Sequence, residues 1–129
     1  MSTATDPATL ASRVIQDADN DLATFFGHFA ADCRFRWGNG EAVQGLEAIQ
    51  ELVARQLAGV AAIKHDVVEE LVGDDSAALR MDVTYTRPDG GTMSTPAVTY
   101  MRFRDGRVCE YLIYQDPTPL IDAAARLEN

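Results

Sequence analysis

Residues 79–86, Leu-Arg-Met-Asp-Val-Thr-Tyr-Thr, alternate without a break. Leu79, Met81, Val83 and Tyr85 fall on one side, and Arg80, Asp82, Thr84 and Thr86 on the other. A period of two requires an extended strand, in which successive Cβ atoms point to opposite faces. Pro88-Asp89-Gly90-Gly91 supplies the turn that ends it. The pattern leaves one choice open. If only the apolar side is covered, Arg80 and Asp82 are solvated surface. If both sides are covered, the strand carries an ion pair into a closed space.

The same punctuation runs through the rest of the C-terminal half. It predicts strands over 63–72, 77–86, 92–104 and 107–115, separated by Gly73-Asp74-Asp75, Pro88-Asp89-Gly90-Gly91 and the hairpin dipeptide Asp105-Gly106. Pro96 lacks an amide donor, which implies a bulge or an edge there. Pro117 and Pro119 close the last strand.

The N-terminal half is helical in period. Asp6-Pro7 reads as an N-cap followed by Pro in the first turn, with Leu10, Val14 and Ala18 behind it. Asp21 can cap a second helix carrying Leu22, Phe25, Phe26 and Phe29, expected to end near Ala31-Asp32. A short strand follows at 34–37, then the Asn39-Gly40 turn. A third helix over about 46–58 has Leu46, Ile49, Val53 and Leu57 in one stripe. The order α-α-β-α-β-β-β-β implies an α+β domain spanning 1–129, with helices laid on one face of a curved antiparallel sheet.

Charge and composition exclude several classes. A net charge of −9 disfavours nucleic acid and anionic membrane surfaces, both of which need clustered Lys and Arg. No apolar run approaches the roughly 20 residues that span a bilayer. The N-terminus lacks the basic and apolar regions of a signal peptide, so the expected location is cytoplasmic. Cys33 and Cys109 form no CxxC pair and read as free thiols. His28 and His65 have no metal-ligand spacing; each is expected in a structural or surface role, and no metal is expected. No phosphate loop or nucleophile motif occurs, so no cofactor is implied. Asp17 shares the face of Leu10 and Val14 and reads as a partly exposed helix carboxylate.

Three phrases carry a family resemblance: "FAADCRFRWGNGEAVQGLEAIQEL", "RMDVTYTRPDG" and "YMRFRDGRVCEYLIYQDPTPL". They resemble the SnoaL-like branch of the nuclear-transport-factor-2-like superfamily over nearly the whole chain. The resemblance implies a cone: a curled sheet around a deep pocket, helices at the mouth, and an outer sheet face that pairs with a second subunit as a homodimer. Its members include ketosteroid isomerases, limonene epoxide hydrolases, polyketide cyclases and non-catalytic binders.

Residues carry over unevenly. Where ketosteroid isomerases place their base and oxyanion donors, this chain has Trp37, Arg13 and Thr99. Their chemistry is therefore not implied. Arg80-Met81-Asp82 resembles the Arg-x-Asp element of limonene epoxide hydrolases, but their second Asp aligns with Ile113, and their water-positioning Tyr and Asn with Phe35 and Trp37. The resemblance thus implies Asp82 as the proton-moving group, with Arg80 orienting it or holding developing negative charge. It implies a ligand pocket lined by Phe35, Trp37, Thr84, Thr99, Met101, Tyr111, Ile113 and Gln115. Leu112 and Tyr114, with Tyr85, Val98 and Tyr100, form the expected dimer face. The expected function is cofactor-free acid–base chemistry (cyclisation, isomerisation, or hydration and epoxide opening) on a small, mostly apolar metabolite. The alternative is a non-catalytic binder or dimeric accessory protein with the same pocket, favoured by the loss of the second carboxylate at Ile113.

Overall fold

A computed structural model describes residues 7–116. Its order is α1 (Pro7–Asn20), α2 (Leu22–Gly27), β1 (Phe29–Trp37), β2 (Val43–Gln44), α3 (Leu46–Gln56), β3 (Ala62–Val72), β4 (Ser76–Thr86), β5 (Thr92–Arg104) and β6 (Arg107–Tyr114). One curved sheet has the order β2-β1-β6-β5-β4-β3. Strands β3 to β6 form the expected antiparallel meander. The join between β1 and β6 is parallel, with Phe35 beside Tyr111 and Trp37 beside Ile113. The proposed Asp6 cap and the closing Pro117 and Pro119 lie outside the described residues.

Two local expectations change. The second helix stops at Gly27, and Phe29 opens β1 instead of continuing the helix. The cause is a handover of hydrogen bonds: the His28 carbonyl accepts from the Val108 amide of β6, so the sheet takes the backbone that another helical turn would have used. Asp21 does cap this short helix. Its carboxylate accepts from the Ala23 and Thr24 amides and, at 2.8 Å, from the Thr24 hydroxyl. The Thr24 hydroxyl bond, first of all, holds the Asp21 pKa below the ordinary carboxylate value.

Pro96 sits in an internal strand, in register with Asp82 and without a bulge. Yet β6 ends opposite Val98, so β5 has a strand on only one side at Pro96, which is locally an edge. The hairpin at Asp105-Gly106 has both residues at positive φ, 54° and 77°, as a tight two-residue turn between twisted strands demands.

The core lies between the helices and the concave face of the sheet. α1 contributes Leu10, Ala11, Val14, Ile15 and Ala18, one stripe at helical spacing laid across β3 and β4. α3 sets Ile49 and Val53 against the β1 side. Phe25, Phe29, Phe35 and Tyr111 form an aromatic cluster, in which Phe35 and Tyr111 stack at 5.2 Å with an angle of 4°.

Candidate functional site

The question posed by β4 has a plain answer. Leu79, Met81, Val83 and Tyr85 are all buried on the concave face, each at 2% exposure or less. Arg80 and Asp82 are exposed on the convex face. Cross-strand partners share a face, and the register puts Asp82 between Asp66 and Pro96, with Arg80 between Glu69 and Val98. Arg80 Nε donates to Glu69 at 3.3 Å, and Thr84 bonds Ser94 at 2.8 Å on the same outer face. The expected inward placement of Arg80, Asp82 and Thr84 is therefore corrected. Strand period requires one side to turn outward, and burying Leu79, Met81, Val83 and Tyr85 is favourable while burying the Arg80 and Asp82 charges is costly. Tyr85, expected on the dimer face, faces inward for the same reason.

The cavity opens between α1, α2, α3 and the concave face and has a volume of about 40 Å³. Its walls hold the expected Phe35, Trp37, Thr99, Tyr111, Ile113 and Gln115. Met101 shares their face and is fully buried, but packs beneath the lining rather than in it. β3 and β4 add Ile63, His65, Val83 and Tyr85, while Phe25 and Leu22 come from α2. Most of the lining is apolar or aromatic, the usual surroundings for a small organic ligand.

Two polar groupings interrupt the apolar walls. The first is His65 with Asp19. β3 is the edge strand, and the His65 amide would face no other strand. The carboxylate of Asp19, near the end of α1, accepts that amide at 3.0 Å and the ring Nδ1 at 2.5 Å. Both side chains are largely buried, at 12% and 17% exposure. In the neutral ring the carboxylate accepts the proton carried by Nδ1, which makes Nε2 the lone-pair nitrogen. His65 Nε2 has no hydrogen-bond partner among the described residues. The expectation of a structural or surface role did not foresee this placement. Its one signal in the sequence is period two: Ile63 and His65 share a side while Lys64 and Asp66 take the other.

The second grouping is Gln115 with Trp37 and Tyr85. Trp37 Nε1 donates to Gln115 Oε1 at 2.8 Å, and Gln115 Nε2 donates to the Tyr85 hydroxyl at 3.0 Å. Burial pushes the Tyr85 pKa up, opposed by the Gln115 bond. Burial likewise raises that of Tyr111, with a hydrogen bond from Thr99 opposing. Both phenols therefore keep their protons across the ordinary pH range.

A second histidine pair lies elsewhere on α1. His28 Nε2 meets Asp17 at 2.7 Å, tying the end of α2 to α1. Among the described residues no three His, Cys, Asp or Glu side chains converge to hold a metal ion, and no helix is long and apolar enough to cross a membrane. Cys33 and Cys109 are free thiols.

Comparison with known proteins agrees with this architecture. An NTF2-like protein of unknown function from Burkholderia pseudomallei K96243 superposes with a TM-score of 0.80 at 14% identity, covering 93% of this chain and 98% of that one. A proposed SnoaL-like polyketide cyclase from Jannaschia sp. CCS1 gives 0.78 at 18% identity, covering 92% and 91%. A hypothetical protein of ketosteroid isomerase-like fold from Catenulispora acidiphila DSM 44928, in complex with trimethylamine, gives 0.76 at 15% identity, covering 94% and 95%. At such identities the likeness is one of fold. No curated protein matches the chain. The model of the SnoaL-like domain matches residues 16–111, from the last turns of α1 through the aromatic wall of β6, and the chain belongs to that family.

Proposed function

We propose that this chain, a single SnoaL-like domain, is an enzyme that needs no cofactor and performs acid–base chemistry on a small, mostly apolar metabolite. The observation that carries the reading is the His65–Asp19 pair set in the wall of an aromatic cavity. Asp19 fixes the ring's orientation and tautomer and stabilises the imidazolium once Nε2 has taken a proton. Cyclisation, isomerisation and hydration each begin with such a transfer, from carbon or from water. The stacked Phe35 and Tyr111 rings offer a flat wall for a planar substrate. Arg80 and Asp82, on the outer face, have no part in this scheme.

The test is a panel of small lactones, epoxides and cyclic ketones incubated with the protein in heavy water, read by mass spectrometry for product and for deuterium uptake. Turnover that disappears in His65→Gln supports the proposal. Ligands that bind in the cavity without any exchange or product would make the protein a binder of the same fold.

The outer sheet face fits a homodimer. Val98, Tyr100, Leu112 and Tyr114 lie side by side there, with Tyr114 half exposed under the Arg36 guanidinium. Arg36 Nε is buried without an acceptor among the described residues. A second copy would cover the strip and bring acceptors such as Asp82 to its cations. Sedimentation should give a dimer for the native chain and a monomer for Tyr114→Arg.

A further inference from the structure

The turn after β1 sets an amide side chain and an unshielded backbone amide next to each other in solvent. β1 ends at Trp37, and the chain reverses through Gly38, Asn39 and Gly40, with Gly38 at a φ of 64°. Asn39 and Gly40 are both exposed. One backbone bond closes the turn: the Gly40 amide donates to the Trp37 carbonyl at 3.3 Å, beyond the usual range of about 2.7–3.2 Å. Gly40 has no side chain to cover that nitrogen. The Asn39 side chain holds no hydrogen bond among the described residues. Asn20 shows the opposite arrangement at the end of α1. Its side-chain nitrogen donates to the Gln16 carbonyl at 2.9 Å, and the amide of the next residue, Asp21, donates to the Asp17 carbonyl at 2.8 Å.

Asn39 also lines a groove on the convex face together with Arg36 and Tyr114. The Arg36 guanidinium lies over the Tyr114 ring at 5.2 Å, and its Nε is buried without an acceptor among the described residues. Two other arginines of this face, Arg34 and Arg102, share Glu110. A carboxylate at position 39 would therefore enter a groove whose cation lacks an anionic partner among the described residues. Charge-assisted bonds of that kind are stronger than the neutral bonds an amide can make.

We propose that Asn39 is a site of spontaneous deamidation in the folded protein, and that the carboxylate it yields is held by Arg36. Water is the only co-reactant. The Gly40 nitrogen gives up its proton and attacks Cγ of Asn39. The N–Cγ bond forms, the Cγ–Nδ2 bond breaks, and Nδ2 leaves as ammonia with that proton. Water then adds to one of the two carbonyls of the cyclic imide. Opening at Cγ leaves an aspartate. Opening at the backbone carbonyl leaves an isoaspartate, whose main chain is one carbon longer. Nothing is oxidised or reduced, and one added carboxylate takes the net charge from −9 to −10. The inference is independent of the acid–base role of His65.

The test ages the native chain in warm, mildly alkaline buffer and maps its peptides by mass spectrometry, with the urea-unfolded chain as reference. Deamidation adds about one dalton to the peptide carrying position 39, and an isoaspartate methyltransferase labels the longer product. Folded Asn39 should react within about threefold of its own rate in the unfolded chain, whereas Asn20, which needs the helix end to open first, should slow at least about tenfold. Gly40→Ala, whose methyl group would meet the Trp37 carbonyl at an ordinary 3.4 Å, keeps the fold and crowds the attacking nitrogen. It should slow the reaction at Asn39 at least about tenfold. An Asn39 that stays intact in the folded protein, while the unfolded chain deamidates there, overturns the site. The partner of the new carboxylate is read from urea unfolding of Asn39→Asp. That substitution should raise the folding equilibrium constant about threefold in the native background and leave it unchanged beside Arg36→Gln. An equal gain in both backgrounds, or a gain in neither, overturns the pairing with Arg36.

Discussion

Two histidines sit against carboxylates of the same helix, two residues apart, and the difference between them is which nitrogen is spent. At His28 the outer nitrogen, Nε2, meets Asp17, and the ring becomes a strut between α1 and α2. At His65 the inner nitrogen, Nδ1, meets Asp19, and the outer one is left to the cavity. Identical residue types in near-identical burial thus give a tie in one place and a candidate base in the other. A His–Asp contact is not in itself a site; the orientation of the ring relative to open space makes it one.

Substituting each histidine in turn breaks the comparison most sharply. His65→Gln should lower turnover of any accepted substrate by about 10²- to 10⁴-fold, the usual contribution of a general base. His28→Gln should change turnover less than twofold and lower thermal stability instead. Equal losses in rate from both would dissolve the distinction.

A comparable contrast holds between the two faces of the sheet. Phe35→Ala removes a ring from the stacked aromatic wall and should cost about 3–5 kcal/mol in urea unfolding. Asp82→Ala, on the convex face, should stay within about 0.5 kcal/mol. A large loss at Asp82 in dilute, monomeric protein would return that residue to the interior.

Alkaline pH gives the next effect. Burial pushes the Cys33 thiol up to about 12 from a model-compound value of 9.0. Above pH 9 the unfolded chain loses this proton while the folded one keeps it. Stability is therefore fully present below about pH 9 and declines as pH rises through about 12. Cys33→Ala should flatten that decline in urea midpoints measured from pH 8 to 11. A slope unchanged by the substitution would assign it to the buried tyrosines, whose pKa values are raised in the same direction. In the native protein at pH 8, Cys33 should also react with a thiol reagent far more slowly than the less buried Cys109.

A further substitution tests the edge of β3. Asp19→Asn keeps an acceptor for the His65 amide but loses the charge that orients the ring. Stability should fall by no more than about 1 kcal/mol, since the change keeps a neutral hydrogen bond. Turnover should fall well beyond what that loss explains.

Much of this molecule is legible in its sequence because it follows from local geometry. Period two along residues 62–115 and the Gly- and Pro-bearing turns require strands and hairpins whatever surrounds them. The helical stripes of α1 and α3 and the Asp21 cap are equally local. The alternation in β4 also separates Tyr85 from Arg80 and Asp82 onto opposite faces. It does not say which face lines the cavity, and matching an Arg-x-Asp spacing to an epoxide hydrolase pointed the wrong side inward. A shift of one residue inverts every side chain, so agreement in type and spacing carries no weight until the register is known.

Tertiary structure decided the rest, because it rests on contacts between residues far apart in the chain. The parallel join of β1 to β6 stacks Phe35 on Tyr111 and brings Trp37 to Gln115, 78 positions away. The crossing of α1 over the open edge of β3 brings Asp19 to His65, 46 positions away. Local periodicity contains no term for such meetings. They follow from the global burial of apolar surface, which sets one helix across one strand edge and so chooses which histidine lines the cavity.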